Sequence, residues 1–146
     1  MTTSTPETSN TSTSTSTSNV AAAAAADAAA KAAEQYIAAW NETDAARRLD
    51  LLQAGWTEDA RYIDPMAKAE GRTQIAALIE GVQQRFPGFR FKLKGTPDAH
   101  GEHLRFSWML GPEGAQDLIE GTDFARLAAG KLQAVTGFLD KVPVGA

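Results

Sequence analysis

The sequence predicts a single α+β domain, with helices in its first half and an antiparallel meander in its second. Three observations carry this. The chain has 146 residues, the length of one domain. Large apolar residues up to Phe86 recur at helical spacing. From Phe89 onward the apolar period drops to two, the mark of half-buried strands. Helices followed by strands, with no repeat unit, segregate into an α+β architecture.

Residues 1–19 are expected to stay outside the fold as a disordered tail. Fourteen of the nineteen are Ser or Thr, and a run with nothing apolar to bury cannot offset its ordering entropy. No Lys or Arg precedes Lys31, so the basic start of a secretory leader is missing and a cytoplasmic location is expected. The run Ala21–Ala26, broken by Asp27, is too weakly apolar to span a membrane. Residues 20–27 read as an Ala-rich helical lead-in, because alanine has the highest helix propensity and Asn19 can cap. The domain proper is expected over 28–142, with 143–146 as a C-terminal tail.

The first helix carries large core residues only near its end, at Tyr36, Ile37 and Trp40. Asn41–Asp44 breaks it, and a second helix follows from about Asp44 with Leu49, Leu52 and Trp56 about a turn apart. Ala60–Asp64 reads as a short strand that stops at Pro65, which forces an extended residue before it. Met66–Gly71 reads as a loop. Ile75, Leu78, Ile79, Val82 and Phe86 trace one buried face of a third helix, ended by Pro87-Gly88. Four strands then follow: one from Phe89, one over His103–Leu110, one over about Gln116–Leu127, and one over Lys131–Asp140. Gly111–Gly114 and Ala129-Gly130 supply turns.

Composition excludes several chemistries. Apolar residues make up 43% and charged residues 22%, a globular mix. The absence of cysteine rules out disulfides, thiolate zinc sites, iron–sulfur clusters and a thiol nucleophile. Two histidines, His100 and His103, argue against a His-rich metal site. A formal net charge of −4 offers nucleic acid no general attraction. No nucleotide-binding, serine-hydrolase or zinc-protease motif is present. No metal and no cofactor are expected, and neither a nucleic acid nor a membrane is an expected partner.

Strand parity picks out the candidate groups. Phe89, Phe91, Leu93 and Leu104, Phe106, Trp108, Leu110 should face the helices, which turns Arg90, Lys92, Lys94, His103 and Arg105 outward. On the next strand Ile119, Gly121, Asp123, Ala125 and Leu127 form the more apolar row, so Asp123 lands on an inward face. A desolvated carboxyl there is raised toward neutral pH and can donate a proton, unless Asp123 caps a turn, bonds a neighbouring strand or escapes through a bulge. Asp64, before Pro65, either organises its turn or serves as a general base at a pocket mouth. Tyr36 is either a satisfied core tyrosine or a donor to a developing oxyanion.

These residues together resemble a known superfamily. Tyr36-Ile-Ala-Ala-Trp40, Trp56-Thr-Glu-Asp-Ala-Arg-Tyr-Ile-Asp-Pro65, Gly71, Glu120-Gly-Thr-Asp-Phe-Ala-Arg-Leu127 and Gly130-Lys-Leu-Gln-Ala-Val-Thr-Gly-Phe138 resemble nuclear transport factor two-like proteins. The nearest pattern is the branch of SnoaL-like polyketide cyclases and ketosteroid isomerases. The resemblance covers about residues 28–142. It implies a cone, in which a curved antiparallel sheet packs against three helices around a pocket and often dimerises through the sheet. It implies that Asp64 shuttles a proton while Tyr36 and Asp123 form an oxyanion hole; ketosteroid isomerase is itself a standard illustration of such tuned carboxyl groups. The isomerases carry additional tyrosines there, where this chain has only Tyr36 and Tyr62. Arg105-x-Ser107 departs from the Arg-x-Asp of the epoxide-hydrolase branch.

The expected function is a cofactor-free acid/base enzyme, of isomerase or cyclase type, acting on a small apolar carbonyl compound. The expected pocket wall is Trp40, Trp56, Ile75, Ile79, Phe91, Phe106 and Trp108, with Val135, Gly137 and Leu139 from the last strand. Gly137 would leave room for a ligand. The same fold also suits a non-catalytic ligand-binding or dimerisation module. A homodimer through the sheet is expected from the resemblance.

Overall fold

The computed structural model describes residues 11–143, with side chains from Val20 onward. Residues 1–10 and 144–146 of the two expected tails lie outside the described residues. The first helix, α1 (Thr11–Asn41), starts eight residues ahead of the expected Asn19 cap. Backbone expected to belong to the tail therefore continues the helix. Once the alanine run has nucleated, each further residue adds a hydrogen bond at little extra cost.

The buried row of α1 is Ala29, Ala32, Ala33, Tyr36, Ala39 and Trp40, a stripe at helical spacing. Small residues let the helix lie close against the strand beginning at Phe89. The second helix, α2 (Ala45–Gly55), is capped by Asp44, whose carboxylate accepts from Arg47 N. Trp56 does not extend it. It caps the end of α2 and opens strand β1 (Trp56–Ile63), while Leu49 stays 40% exposed. A short strand, β2 (Lys68–Glu70), occupies what reads in sequence as a loop. It pairs antiparallel with β1. Helix α3 (Gly71–Arg85) follows, with Ile75 and Ile79 wholly buried.

Four long strands complete the sheet: β3 (Phe89–His100), β4 (His103–Pro112), β5 (Ile119–Ala128) and β6 (Lys131–Lys141). Burial on β4 and β5 alternates as parity predicts. The sheet order is β2-β1-β6-β5-β4-β3. One pairing departs from the expected antiparallel sheet. Strand β1 runs parallel to β6, so the curved sheet is mixed. Chain that reaches β6 through α3 and the meander returns beside β1 in the same direction, as a crossover requires.

Two polar clamps fix the end of α1, where Tyr36 and Trp40 sit. Asn41 accepts from Phe91 N at 2.8 Å and donates to Phe91 O at 2.9 Å. Gln83 of α3 donates to Trp40 O and Glu42 O. Gln83 also accepts from Arg48, a guanidinium only 3% exposed that donates to Glu42 O as well. These bonds satisfy carbonyls that the helix end leaves unpaired.

Candidate active site

Asp123 lies at the centre of the inward row of β5, 1% exposed. Cross-strand register places it beside Phe106 on β4 and Gly137 on β6. Its two oxygens are met by different partners. The Tyr36 hydroxyl donates to Oδ2 at 2.5 Å, and the Trp108 indole donates to Oδ1 at 3.1 Å. Burial pushes the carboxyl up from 3.8 to about 6. The two donors oppose that rise, and the nearby charges of Asp64 and Asp140 add to it. Tyr36 is raised well above the ordinary phenol value, first by burial and then by the Asp123 charge.

Asp64 follows the last residue of β1. Its Oδ1 accepts from the backbone amides of Met66 and Ala67 at 2.8 and 2.7 Å, which closes the turn into β2. Its Oδ2 accepts from the Tyr62 hydroxyl at 2.7 Å. Tyr62 is raised far above the usual phenol range, by burial first and then by the Asp123 and Asp64 charges.

Gly137 joins the two halves. A Cβ there would lie 3.0 Å from Asp123 Oδ1, 3.3 Å from Asp64 Cβ and 3.5 Å from the Tyr62 hydroxyl. Both aspartates therefore meet over one glycine, a convergence that the parallel β1–β6 register makes. Gly137 was expected to leave room for a ligand; these groups already crowd a single methyl there. Tyr62 was not among the expected site residues. Its signal is the i, i+2 spacing to Asp64, which puts both on one strand face.

The aromatic side chains named from the sequence pack as one cluster. Tyr36 stacks on Trp56 at 5.7 Å and meets Phe106 edge-on at 4.8 Å. Trp40 packs against Tyr62 and Phe91, and Phe91 against Trp108. Val135 is buried opposite Tyr62. Ile75 and Ile79 fill the core from α3, and no bond links them to the carboxylates. Leu139 is a correction: it is 37% exposed and stays out of the buried cluster, because it lies near the open end of β6. Among the described residues no group of three His, Asp or Glu side chains is gathered to hold a metal.

The SnoaL-like domain family matches residues 33–135, which run from the buried face of α1 to Val135 and include Tyr36, Asp64 and Asp123. The chain belongs to the SnoaL-like family. This SnoaL-like domain is similar to a solved structure from Agrobacterium tumefaciens, described as a candidate isomerase of the same family. The two share 46% identity over 78% of this chain and 98% of that one, with a TM-score of 0.75. A candidate ketosteroid isomerase from Kribbella flavida shares 21% identity over 83% and 84% of the two chains, with a TM-score of 0.61. An epoxide hydrolase of M. tuberculosis shares 18% over 79% and 84%, at 0.58. The last two establish a common fold. No curated protein matches the chain. No helix among the described residues is long and apolar enough to cross a membrane.

Proposed function

We propose that this SnoaL-like protein is a cofactor-free acid/base enzyme that moves a proton at the carbon beside the carbonyl of a small apolar compound. The observation that carries the reading is the meeting of Asp64 and Asp123 over Gly137, within a wall of aromatic rings. Asp64 takes the proton and returns it elsewhere on the same ligand. Tyr36 and Asp123 donate to the enolate oxygen, which needs Asp123 protonated and the Tyr36 hydroxyl turned from Asp123 to the ligand. A carboxyl raised to about 6 carries that proton far more readily than an ordinary one. The isomerase description of the 46%-identical relative agrees with this chemistry.

The test is deuterium uptake from solvent beside the carbonyl of a panel of apolar cyclic ketones, followed by proton NMR. Asp64→Asn should slow exchange by about a hundredfold or more, with ketone affinity held within about twofold. Equal loss of binding and exchange, or unchanged exchange, would count against Asp64.

A second reading has its own observation. Asp64 Oδ1 is already committed to two turn amides, which favours Asp123 as the group that accepts the proton. The two readings have opposite pH profiles. With Asp123 as donor, exchange falls as pH rises through about 6; with Asp123 as base, it rises through the same point. If naphthols bind and no ketone exchanges, the domain is a ligand-binding module.

We also propose a homodimer through the outer sheet face. Phe124 and Phe138 form a T-shaped pair there, 48% and 50% exposed, beside a groove of about 540 Å³. Solvated aromatic pairs of this kind favour burial against a partner. Phe138→Glu should halve the mass seen by sedimentation equilibrium without lowering helix content. A wild-type monomer, or a variant that stays dimeric, would refute this interface.

A further inference from the structure

Trp40 carries a buried donor that nothing in the fold uses. The residue is 4% exposed, and its Nε1 has no hydrogen-bond partner. A buried unpaired N–H is costly, and native proteins rarely keep one without a use. Phenylalanine at position 40 would fill much of the same space without an unmet donor. The contrast with Trp108 is direct, since that indole is spent on Asp123.

The position of Trp40 is also held firmly. Gln83 grips its carbonyl, and the neighbouring Asn41 is locked to Phe91. It lies one helical turn beyond Tyr36, with ring centroids 6.0 Å apart, and its ring packs on Tyr62 at 5.6 Å. Tyr36 and Tyr62 are the phenols bonded to Asp123 and Asp64. The ring that carries the unpaired donor thus packs on both phenols that bond the two carboxylates.

We infer that the Trp40 indole is a second ligand-directed donor, so that the ligand is a carbonyl compound with a further oxygen acceptor a few bonds from the carbonyl. This rests on the proposed function above, in which Tyr36 and Asp123 hold the first oxygen. Trp40 then sets specificity and ligand orientation, and takes no part in proton transfer.

The probes are 2-naphthol, an apolar phenol that presents one oxygen to Tyr36 and Asp123, and 6-methoxy-2-naphthol, which adds an ether oxygen that can only accept. Binding is measured by titration, and the indole N–H signals of the three tryptophans by nitrogen-15 NMR. Wild type should bind the methoxy compound about fivefold more tightly, the size of one hydrogen bond. The Trp40 N–H signal should move downfield with it and much less with 2-naphthol. In Trp40→Phe the two naphthols should bind with equal affinity, so that the ratio of about fivefold is lost whatever the variant does to 2-naphthol itself.

An equal gain in Trp40→Phe would overturn the inference. So would an unmoved Trp40 signal in the methoxy complex, which would mean that the N–H does not meet the added oxygen. Should the variant fail to fold, the wild-type signal decides alone. Binding of 2-naphthol without any methoxy gain overturns this inference and leaves the proposed function standing. Failure of both naphthols to bind removes the oxyanion-hole reading itself, and this inference with it.

Discussion

Asp123→Asn should make the protein more stable than wild type at neutral pH and leave it about equal near pH 4. An amide fits the same place. Its oxygen accepts from Trp108, and its NH₂ donates to a Tyr36 hydroxyl turned to accept. Only the titration is lost. In wild type the folded carboxyl sits at about 6, above its ordinary 3.8. The folded state therefore holds the proton more tightly than the unfolded chain. Below about pH 4 the carboxyl is protonated in both states and costs nothing. As pH rises from about 4 to about 6, stability falls, because the unfolded chain gives up this proton while the folded protein still holds it. The loss levels off above pH 7 at about 3 kcal/mol. Thermal melts of both proteins from pH 4 to 8 should diverge by roughly 10 °C at the neutral end. A difference that does not vary with pH would show that Asp123 titrates normally.

Gly121→Ala should destabilise the fold by about 3 kcal/mol or more. A Cβ at that position would lie 2.2 Å from Trp108 Cζ2, 2.5 Å from Trp108 Cε2 and 2.8 Å from the Phe138 carbonyl oxygen. The indole lies across the glycine opposite it on β5, and this is how its N–H reaches Asp123. The ring can escape only by giving up that bond, and the backbone carbonyl has no rotamer to escape into. Urea unfolding measures the loss. The double variant Gly121→Ala/Trp108→Phe should recover part of it, because phenylalanine lacks the clashing benzo edge. Simple additivity of the two changes would refute this account of Gly121.

Much of this architecture is legible because its signals are local. Helix α3 shows in the spacing of Ile75, Ile79 and Val82. Strands β3 and β4 show in alternation that begins at Phe89 and resumes at Leu104. Asp123 emerges from parity alone, since it interrupts an otherwise apolar row. The features that escape a reading of the chain are non-local or too short. Three residues of β2 have no period to detect. Trp56 suits a helical stripe as well as the first position of a strand. The parallel register of Tyr62 on Val135 joins residues more than seventy positions apart, and no pattern in either segment announces it. Asp64 was legible as a turn residue before a proline, but its place over Gly137 depends on that register. The spacing of Tyr62 to Asp64 is local, but it does not mark either residue as part of a site. The Tyr62 hydroxyl matters only once β6 lies alongside.

The place of β6 has a consequence for how the protein is made. Of the six described strands it leaves the ribosome last, yet it sits between β1 and β5 in the sheet. Until it emerges, the helices with the β1–β2 hairpin and the three-stranded β3–β5 ribbon have no shared strand. Each half waits with an open edge, a hazard for mispairing during synthesis. Insertion of β6 closes both edges in one step and brings Gly137 beneath the two aspartates. Closure of the sheet and assembly of the candidate site are thus the same event, and a nascent chain stalled before Gly137 holds both aspartates without bringing them together.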